Sequence, residues 1–522
     1  MAGYLDDDAL PSSGDDSDYG DSDDGSCAGL AGLEIGPDTL TYKRCAVTAV
    51  SDASVTLSYF YDFCGGAEFE CTVSVERSPL FGPDDVCAAF AHAGLVVLCW
   101  VWMSVPAAVI KCDAVHLEAD DCRWWEAFYV DALAEYACVH GLRLEQIQLR
   151  VESGCAAVPS EPAAARAAPR DGRRVLCGLG GGKDSLVARE LCLCQPGVRE
   201  ADWVYVADGS GEFDESKRLN AIVETSGAKC AVLRREFDYD ALAQRRATRH
   251  AATGHPWAAL VAFDGVATAM LLGYDAFVVG NERSATFGNG RFVGGLEVNH
   301  QFDKSVAYER KIARYLRKHL APNCAKLGRQ MPDYFSALQP LWEVQIAAVM
   351  CLSPRLRPYW RLFRSCNDSG DCDEWCQRCD KCCFVCGLCA AFRRDFSQVF
   401  GSDLFEHPAL LPNFEALCGV GGAPKPLECV GTPAEATLSL FLAKRQFARG
   451  TEGIPFVLAA LGNLDDAQTI LQSLHILSDY SEDHALPPWW STAERPRVLE
   501  ELANDLEPAL RRELQAQIDA RA

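Results

Sequence analysis

The stretch "VLCGLGGGKDSLVARELC", residues 175–192, decides the fold class. Val175, Leu176 and Cys177 form a short apolar run that enters Gly180, Gly181 and Gly182. Lys183, Asp184 and Ser185 follow, and Leu186, Val187 and Leu191 then recur at helical spacing. A strand that turns through glycines into a helix points backbone N–H groups at the positive end of that helix, where an anion is held.

Three phosphate-binding patterns compete for this loop. A Walker A loop needs Lys followed directly by Ser or Thr, and Asp184 intervenes. A dinucleotide fingerprint needs a third glycine where Lys183 stands. The loop most resembles the pyrophosphate loop S-G-G-x-D-S of the ATP pyrophosphatases. Residues 180–185 match that pattern at five of six positions, with Gly180 in place of the first Ser and one hydroxyl donor lost. Backbone N–H groups, Lys183 and Ser185 are suited to phosphate, and Asp184 beside a polyphosphate calls for an intervening Mg²⁺. Enzymes of this class cut ATP between the α and β phosphates and adenylate an oxygen of their substrate. An ordinary glycine-rich turn is the competing explanation.

Outward from the loop, strand candidates at 174–179, 203–207, 230–234 and 276–280 alternate with helical stretches such as 257–272. That rhythm predicts an α/β fold with a doubly wound parallel sheet. Ligands of such sheets bind at the carboxyl ends of strands, which places residues 180–185, Asp208 and Asn281 on one rim. Glu282 and Arg283 follow Asn281, and Arg283 can clamp a carboxylate or phosphate. The division expected is an acidic tail (1–30), an α+β region (31–153) and an Ala/Pro-rich linker (154–172). A pyrophosphate-loop domain (173–320), a cysteine-rich substrate region (321–432) and a helical C-terminal region (433–522) follow. Within 31–153, alternation at Val55–Tyr61 and again at Phe69–Val75 predicts a hairpin, and 123–140 has helical spacing that stops at Gly141.

Net charge is −24 over 522 residues, and residues 1–28 hold nine Asp with no Lys or Arg. Such a tail buries no apolar surface and is expected to be disordered. An acidic chain excludes broad electrostatic attraction to nucleic acid. No secretory or Arg-rich transit pattern opens the sequence, so a cytoplasmic setting is expected, an organellar address not being excluded. The apolar run 93–110 contains Pro106 and lacks a basic flank, and reads as core rather than a membrane span.

Eight of the 26 cysteines fall between 366 and 389. Cys376-x-x-Cys379-x-x-Cys382, with Cys366 or Cys372 as a fourth thiolate, satisfies a tetrahedral zinc site, and Cys366 is carried forward as that ligand. Free thiols or an iron–sulfur cluster are the other readings of the same spacing.

Three further stretches place polar chemistry inside apolar sequence: "VVGNERSATFGN" (278–289), "VNHQFDKSVAYE" (298–309) and "KPLECVGT" (425–432). With GLGGGKDS, SCN (365–367) and WCQRCDKCCFV (375–385), this ordered set resembles one family, the UDP-N-acetylmuramoyl-L-alanyl-L-glutamate epimerases of bacterial cell-wall synthesis. The resemblance covers about residues 174–432. It implies an isomerase that inverts the terminal L-glutamate of a UDP-muramoyl dipeptide while converting ATP to AMP and pyrophosphate. Adenylation removes the carboxylate charge and acidifies Cα, a base takes the proton, and an acid returns it from the other face. His300, Lys304, Glu309 and Cys429 have suitable chemistry for the base, and no spacing selects among them. Rival readings are a 7-cyano-7-deazaguanine synthase, which also joins such a loop to four cysteines, a tRNA-modifying enzyme of the same superfamily, and a zinc-held interaction module without activity.

Overall fold

A computed structural model of the chain describes residues 39–62, 68–156, 172–209, 212–244, 254–366, 373–450 and 453–520. The acidic tail and most of the Ala/Pro-rich linker lie outside the described residues. The strands are β1 (Thr39–Val50), β2 (Ser54–Asp62), β3 (Glu68–Glu76), β4 (Val109–Cys112), β5 (Arg150–Ser153), β6 (Arg173–Gly178), β7 (Val198–Asp208), β8 (Cys230–Phe237), β9 (Ala276–Val279), β10 (Phe292–Val293), β11 (Leu296–Glu297) and β12 (Asp333–Ser336). Ten of them form one sheet in the order β12-β9-β6-β7-β8-β3-β2-β1-β4-β5, and β10 and β11 form a separate ribbon. From β12 to β8 every pairing is parallel. β8 then pairs antiparallel with β3, and the expected hairpin is β2–β3, with Val55 opposite Val75 and Tyr61 opposite Phe69. β1 pairs antiparallel with β2, and β4 and β5 add in parallel beyond it. The fold is α/β around a large, mostly parallel sheet. Because β8 meets β3, the regions 31–153 and 173–320 share one sheet.

Alternate residues of the central strands enter opposite cores. Val175, Cys177, Trp203 and Val278 face one, together with the helices Lys183–Cys194 and Glu343–Leu352. Leu176, Val204, Leu233 and Phe277 face the other, together with Trp257–Leu272 and Ala93–Ser104. Strands covered on both faces read as unbroken apolar runs, which is how β6 and β9 appear in the sequence. All twelve residues of Ala93–Ser104 are buried, as core and not as a span. Among the described residues no single helix is long and apolar enough to cross a membrane, although Pro83–Phe90 and Ala93–Ser104 pass that test as a pair bent by 57°.

One ion pair is sealed inside the sheet. Arg235 of β8 donates Nε and Nη2 to the two carboxylate oxygens of Asp264, each at 2.6 Å, and both side chains are fully buried. Removing one partner of such a pair leaves an uncompensated charge in the core. Asp264→Ala is therefore expected to cost about 3–5 kcal/mol of unfolding free energy. Denaturant titration checks it, and a loss below about 1 kcal/mol would contradict the assignment.

The chain visits β6, β7 and β8 in one direction, then crosses to place β9 and β12 on the other side of β6. The strand order reverses between β6 and β9, and in parallel sheets the carboxyl ends at such a reversal are where ligands bind. After β12 the described residues carry helices and loops without strands.

Candidate active site

The glycine loop lies at that reversal. It leaves β6 at Gly178 and reaches the helix Lys183–Cys194, whose N-cap is Gly182. Gly181 has φ +69°, and a Cβ there would lie 2.6 Å from Arg218 Nη1, so only glycine fits. Its carbonyl accepts from Arg218 Nη1 at 2.9 Å and from the Arg364 backbone N–H at 2.9 Å, which fixes the loop. Gly180 is exposed, and Gly182 brings no side chain to cap the helix. Helix N–H groups left uncapped in this way are available to an anion. Ser185 Oγ donates to the Gly182 carbonyl at 3.0 Å.

A serine hydroxyl stands against the loop beside Gly182. Ser365 Oγ is buried without a hydrogen-bond partner among the described residues. It stands 2.6 Å from where a Cβ on Gly182 would be. A buried hydroxyl left unpaired in this way is placed for a ligand.

Behind the loop is a row of buried charges. Lys183, expected to face phosphate, instead turns inward: its ammonium is 2.6 Å from Asp184 Oδ1 and hydrogen-bonds Glu343 Oε2. Burial opposes that charge, but Asp184, Glu343 and Glu282 hold it well above the usual lysine range. Burial works against the Asp184 carboxylate too, and Lys183, Lys381 and Lys304 keep it low. Burial pushes Glu343 and Glu435 up to about 7. Glu435 Oε1 accepts the Glu343 backbone N–H at 2.6 Å, so one carboxylate caps a second helix start besides its own. Lys381 lies 3.8 Å from Glu343 Oε1 and donates to the Cys429 carbonyl.

At Cys429 the row becomes a site. Lys304 Nζ donates to Cys429 Sγ at 3.0 Å. His300 Nδ1 pairs with Glu135 Oε2 at 2.6 Å, and the imidazole lies near enough to the thiol to favour its charged form. Burial lowers His300, yet Cys429 and Glu135 outweigh it and hold the imidazolium up to about 10. Burial raises Cys429, yet Lys304 and His300 pull it well below the usual thiol range. Cys429 as a residue is half-buried. Lys425 Nζ has no hydrogen-bond partner among the described residues and faces Glu282, Glu435 and Cys429. Burial lowers its pKa against the pull of Glu282, Glu435 and Cys429.

The structure thus brings together Gly181, Gly182, Asp184, Glu282, His300, Lys304 and Cys429 from the sequence set. Glu309 is not among them. It is fully buried, raised to about 8 by burial, and its neighbours are Ser336 and Gln339 beside β12. Asn281 is tied there too, its N–H donating to Ser336 Oγ at 2.8 Å. Asp208 accepts from Tyr239 Oη at 2.7 Å at the end of β7. Arg283 pairs with Asp479 at 2.7 Å and lies over the Trp342 ring, so it is engaged by protein rather than turned to a ligand. Sequence reasoning missed Glu135, Glu343, Lys381, Lys425 and Glu435.

The four expected thiols also converge. Sγ atoms of Cys366, Cys376, Cys379 and Cys382 all lie within 4.8 Å of one another, and Cys376 and Cys382 are 3.7 Å apart. Zinc bound to thiolates at about 2.3 Å places sulfurs about 3.8 Å from each other, so the set fits a zinc ion. Backbone N–H groups of Cys379 and Cys382 donate to the sulfurs three residues before them, each at 3.4 Å. Gln377, inside this turn, is the single non-glycine residue with positive φ among the described residues. Cys372 lies outside them. Cys366 follows Arg364 and Ser365 directly, so this cluster anchors two residues that touch the glycine loop.

Residues 35–336 match the model of the MurL N-terminal domain, and residues 362–470 match that of the MurL C-terminal domain. The chain belongs to the MurL family. The N-terminal match runs through the linker and takes in all strands of the shared sheet, and the MurL C-terminal match holds Ser365, the four thiols, Lys425 and Cys429. Two curated relatives carry the name UDP-N-acetyl-alpha-D-muramoyl-L-alanyl-L-glutamate epimerase. The protein of Salinispora tropica is 35% identical over 332 residues, which are 61% of this chain and 65% of that protein, just under two thirds of its length. The protein of Xanthomonas oryzae pv. oryzae is 31% identical over 424 residues, which are 78% of this chain and 86% of that one.

Proposed function

We propose that this MurL chain is an ATP-dependent epimerase of peptidoglycan precursor synthesis. It inverts the terminal L-glutamate of UDP-N-acetylmuramoyl-L-Ala-L-Glu through an acyl-adenylate and releases AMP and pyrophosphate. The observation that carries the reading is continuity: an uncapped helix start beside a glycine loop joins, through Lys183, Glu343 and Lys381, to a thiol flanked by two cations. One half suits polyphosphate, and the other suits an activated carbonyl.

The loop N–H groups and Ser365 would hold the pyrophosphate of ATP. Asp184 would hold Mg²⁺, which supplies charge neutralisation when bound. The glutamate carboxylate attacks the α-phosphorus and pyrophosphate leaves. The Cα proton beside an uncharged acyl group is then acidic enough for removal and return. Water restores the carboxylate. The four thiols would hold a structural zinc ion, and a reducing, cytoplasmic setting suits such unoxidised thiols.

Lys425 is the group we assign to an anionic part of the substrate, such as the glutamate carboxylate before activation. A hydrogen bond to a charged group is worth about 1.5–3 kcal/mol, so Lys425→Met is expected to raise KM for the dipeptide nucleotide about tenfold to a hundredfold. Unchanged KM in steady-state assays would remove Lys425 from the site. The function itself is tested by AMP release with the dipeptide nucleotide and, in parallel, with 7-carboxy-7-deazaguanine. AMP release only with the second would favour a deazaguanine enzyme and sink the epimerase.

A further inference from the structure

Cys429 is pulled below the usual thiol range, as is Cys87 by its contact with Cys45, but Cys429 is the one held between cations. Burial pushes Cys71 and Cys112 up to about 12. Cys429 goes the other way, because it sits between Lys304 and the Glu135–His300 pair. A three-residue turn, closed by the Val430 N–H to the Glu428 carbonyl at 2.8 Å, puts Cys429 at its apex. A thiol that accepts from Lys304 at 3.0 Å, beside an imidazole oriented by the Glu135 carboxylate, has the setting of an activated nucleophile.

Resting on the epimerase reading, we infer that Cys429 is a covalent nucleophile, which takes the glutamyl group from the acyl-adenylate and carries it as a thioester while Cα is inverted. Sγ attacks the acyl carbon, the C–S bond forms, and the bond from that carbon to the phosphate oxygen breaks. AMP leaves with the electron pair. Water later attacks the thioester carbonyl, the C–S bond breaks, and the thiolate returns as the carboxylate is released. Each turnover consumes one ATP and one water.

A thiolate stabilised by two cations is a weak proton acceptor and a poor base for a C–H bond. Its nucleophilicity falls more slowly, with a Brønsted slope of about 0.4–0.5. The same pairing therefore weakens the base role and spares the nucleophile role. Acylation also cancels the sulfur charge. Lys304 and His300 then lose one of the anions that keep them protonated, Glu135 remaining on His300 and Glu282 and Asp303 beside Lys304, while burial favours their neutral forms. Both groups then hold their protons less tightly beside the acyl group, one of them oriented by Glu135, and they are the groups we assign to the Cα proton.

The test uses the full chain, ATP, Mg²⁺ and UDP-N-acetylmuramoyl-L-Ala-L-Glu, with three readouts: substrate-dependent ATP–pyrophosphate exchange, acid-quenched mass of the Cys429 peptide, and chiral analysis of glutamate. Wild type should show exchange and a substrate-sized adduct on Cys429. Cys429→Ala and Cys429→Ser should keep exchange within about tenfold and lose epimerisation by at least about a thousandfold. Retained exchange also shows that the variants fold. Exchange with normal epimerisation and no adduct in wild type would overturn the thioester and leave adenylation standing. Epimerisation by Cys429→Ala near the wild-type rate would overturn it as well. Loss of exchange in wild type would overturn the adenylation reading, and the thioester with it.

Discussion

Asp184→Asn is expected to keep the fold and to cut AMP formation by on the order of a thousandfold, about 4 kcal/mol of transition-state stabilisation. Asp184 stands on the first turn of a helix whose N-cap offers no side chain. Its carboxylate is kept ionised against burial by Lys183, Lys381 and Lys304. That is the setting for a cation bridge to polyphosphate. Asparagine has the same shape and can still accept from Lys183, whose ammonium also keeps Glu343. The melting temperature should therefore move by only a few degrees. AMP measured by chromatography at saturating ATP and Mg²⁺ decides the matter. Production within about threefold of wild type would show that Asp184 serves the fold alone.

Cys379→Ser should remove bound zinc and lower the melting temperature together. Without a cation, four thiolates this close would repel one another, so metal binding is part of the folding free energy of the segment. Losing about 3 kcal/mol of it would lower the melting temperature of a chain this long by roughly 3 °C. AMP formation should fall too, although no loop residue is changed, because Arg364 and Ser365 are held against Gly181 and Gly182 from beside Cys366. Metal analysis of the wild type with neither zinc nor iron would make the cluster a set of buried thiols. A variant with unchanged metal content and melting temperature would do the same for Cys379.

The loop, the strands flanking it and the Cys376–Cys382 spacing were legible because each is local. Glycine punctuation, apolar runs and two-residue gaps are written within a few positions. The β2–β3 hairpin was legible for the same reason. β4, β5 and β12 were not, since their four residues mix polar with apolar and lack the unbroken apolar run that marks β9. The join of β3 to β8 connects strands that lie far apart in sequence, and no spacing reports that. The site was legible in part. His300, Lys304 and Cys429 stand in stretches where polar residues interrupt apolar sequence. Glu135 sits in "RWWEAFYVDALAEYACVH", where an acidic residue at helical spacing reads as a solvated face, yet it is tucked against His300. Glu343 and Glu435 read as helix-start acids for the same reason and prove to be buried. Glu309 misled by adjacency: it is one helical turn from Ser305, and its carboxyl faces β12 instead of the thiol.

The most direct test is to incubate the chain with ATP, Mg²⁺ and UDP-N-acetylmuramoyl-L-Ala-L-Glu in deuterated water, hydrolyse the product, and resolve the glutamate on a chiral column. D-glutamate carrying one deuterium at Cα, formed only with ATP and alongside AMP, is the predicted result. L-glutamate without deuterium, with or without AMP release, would contradict the epimerase.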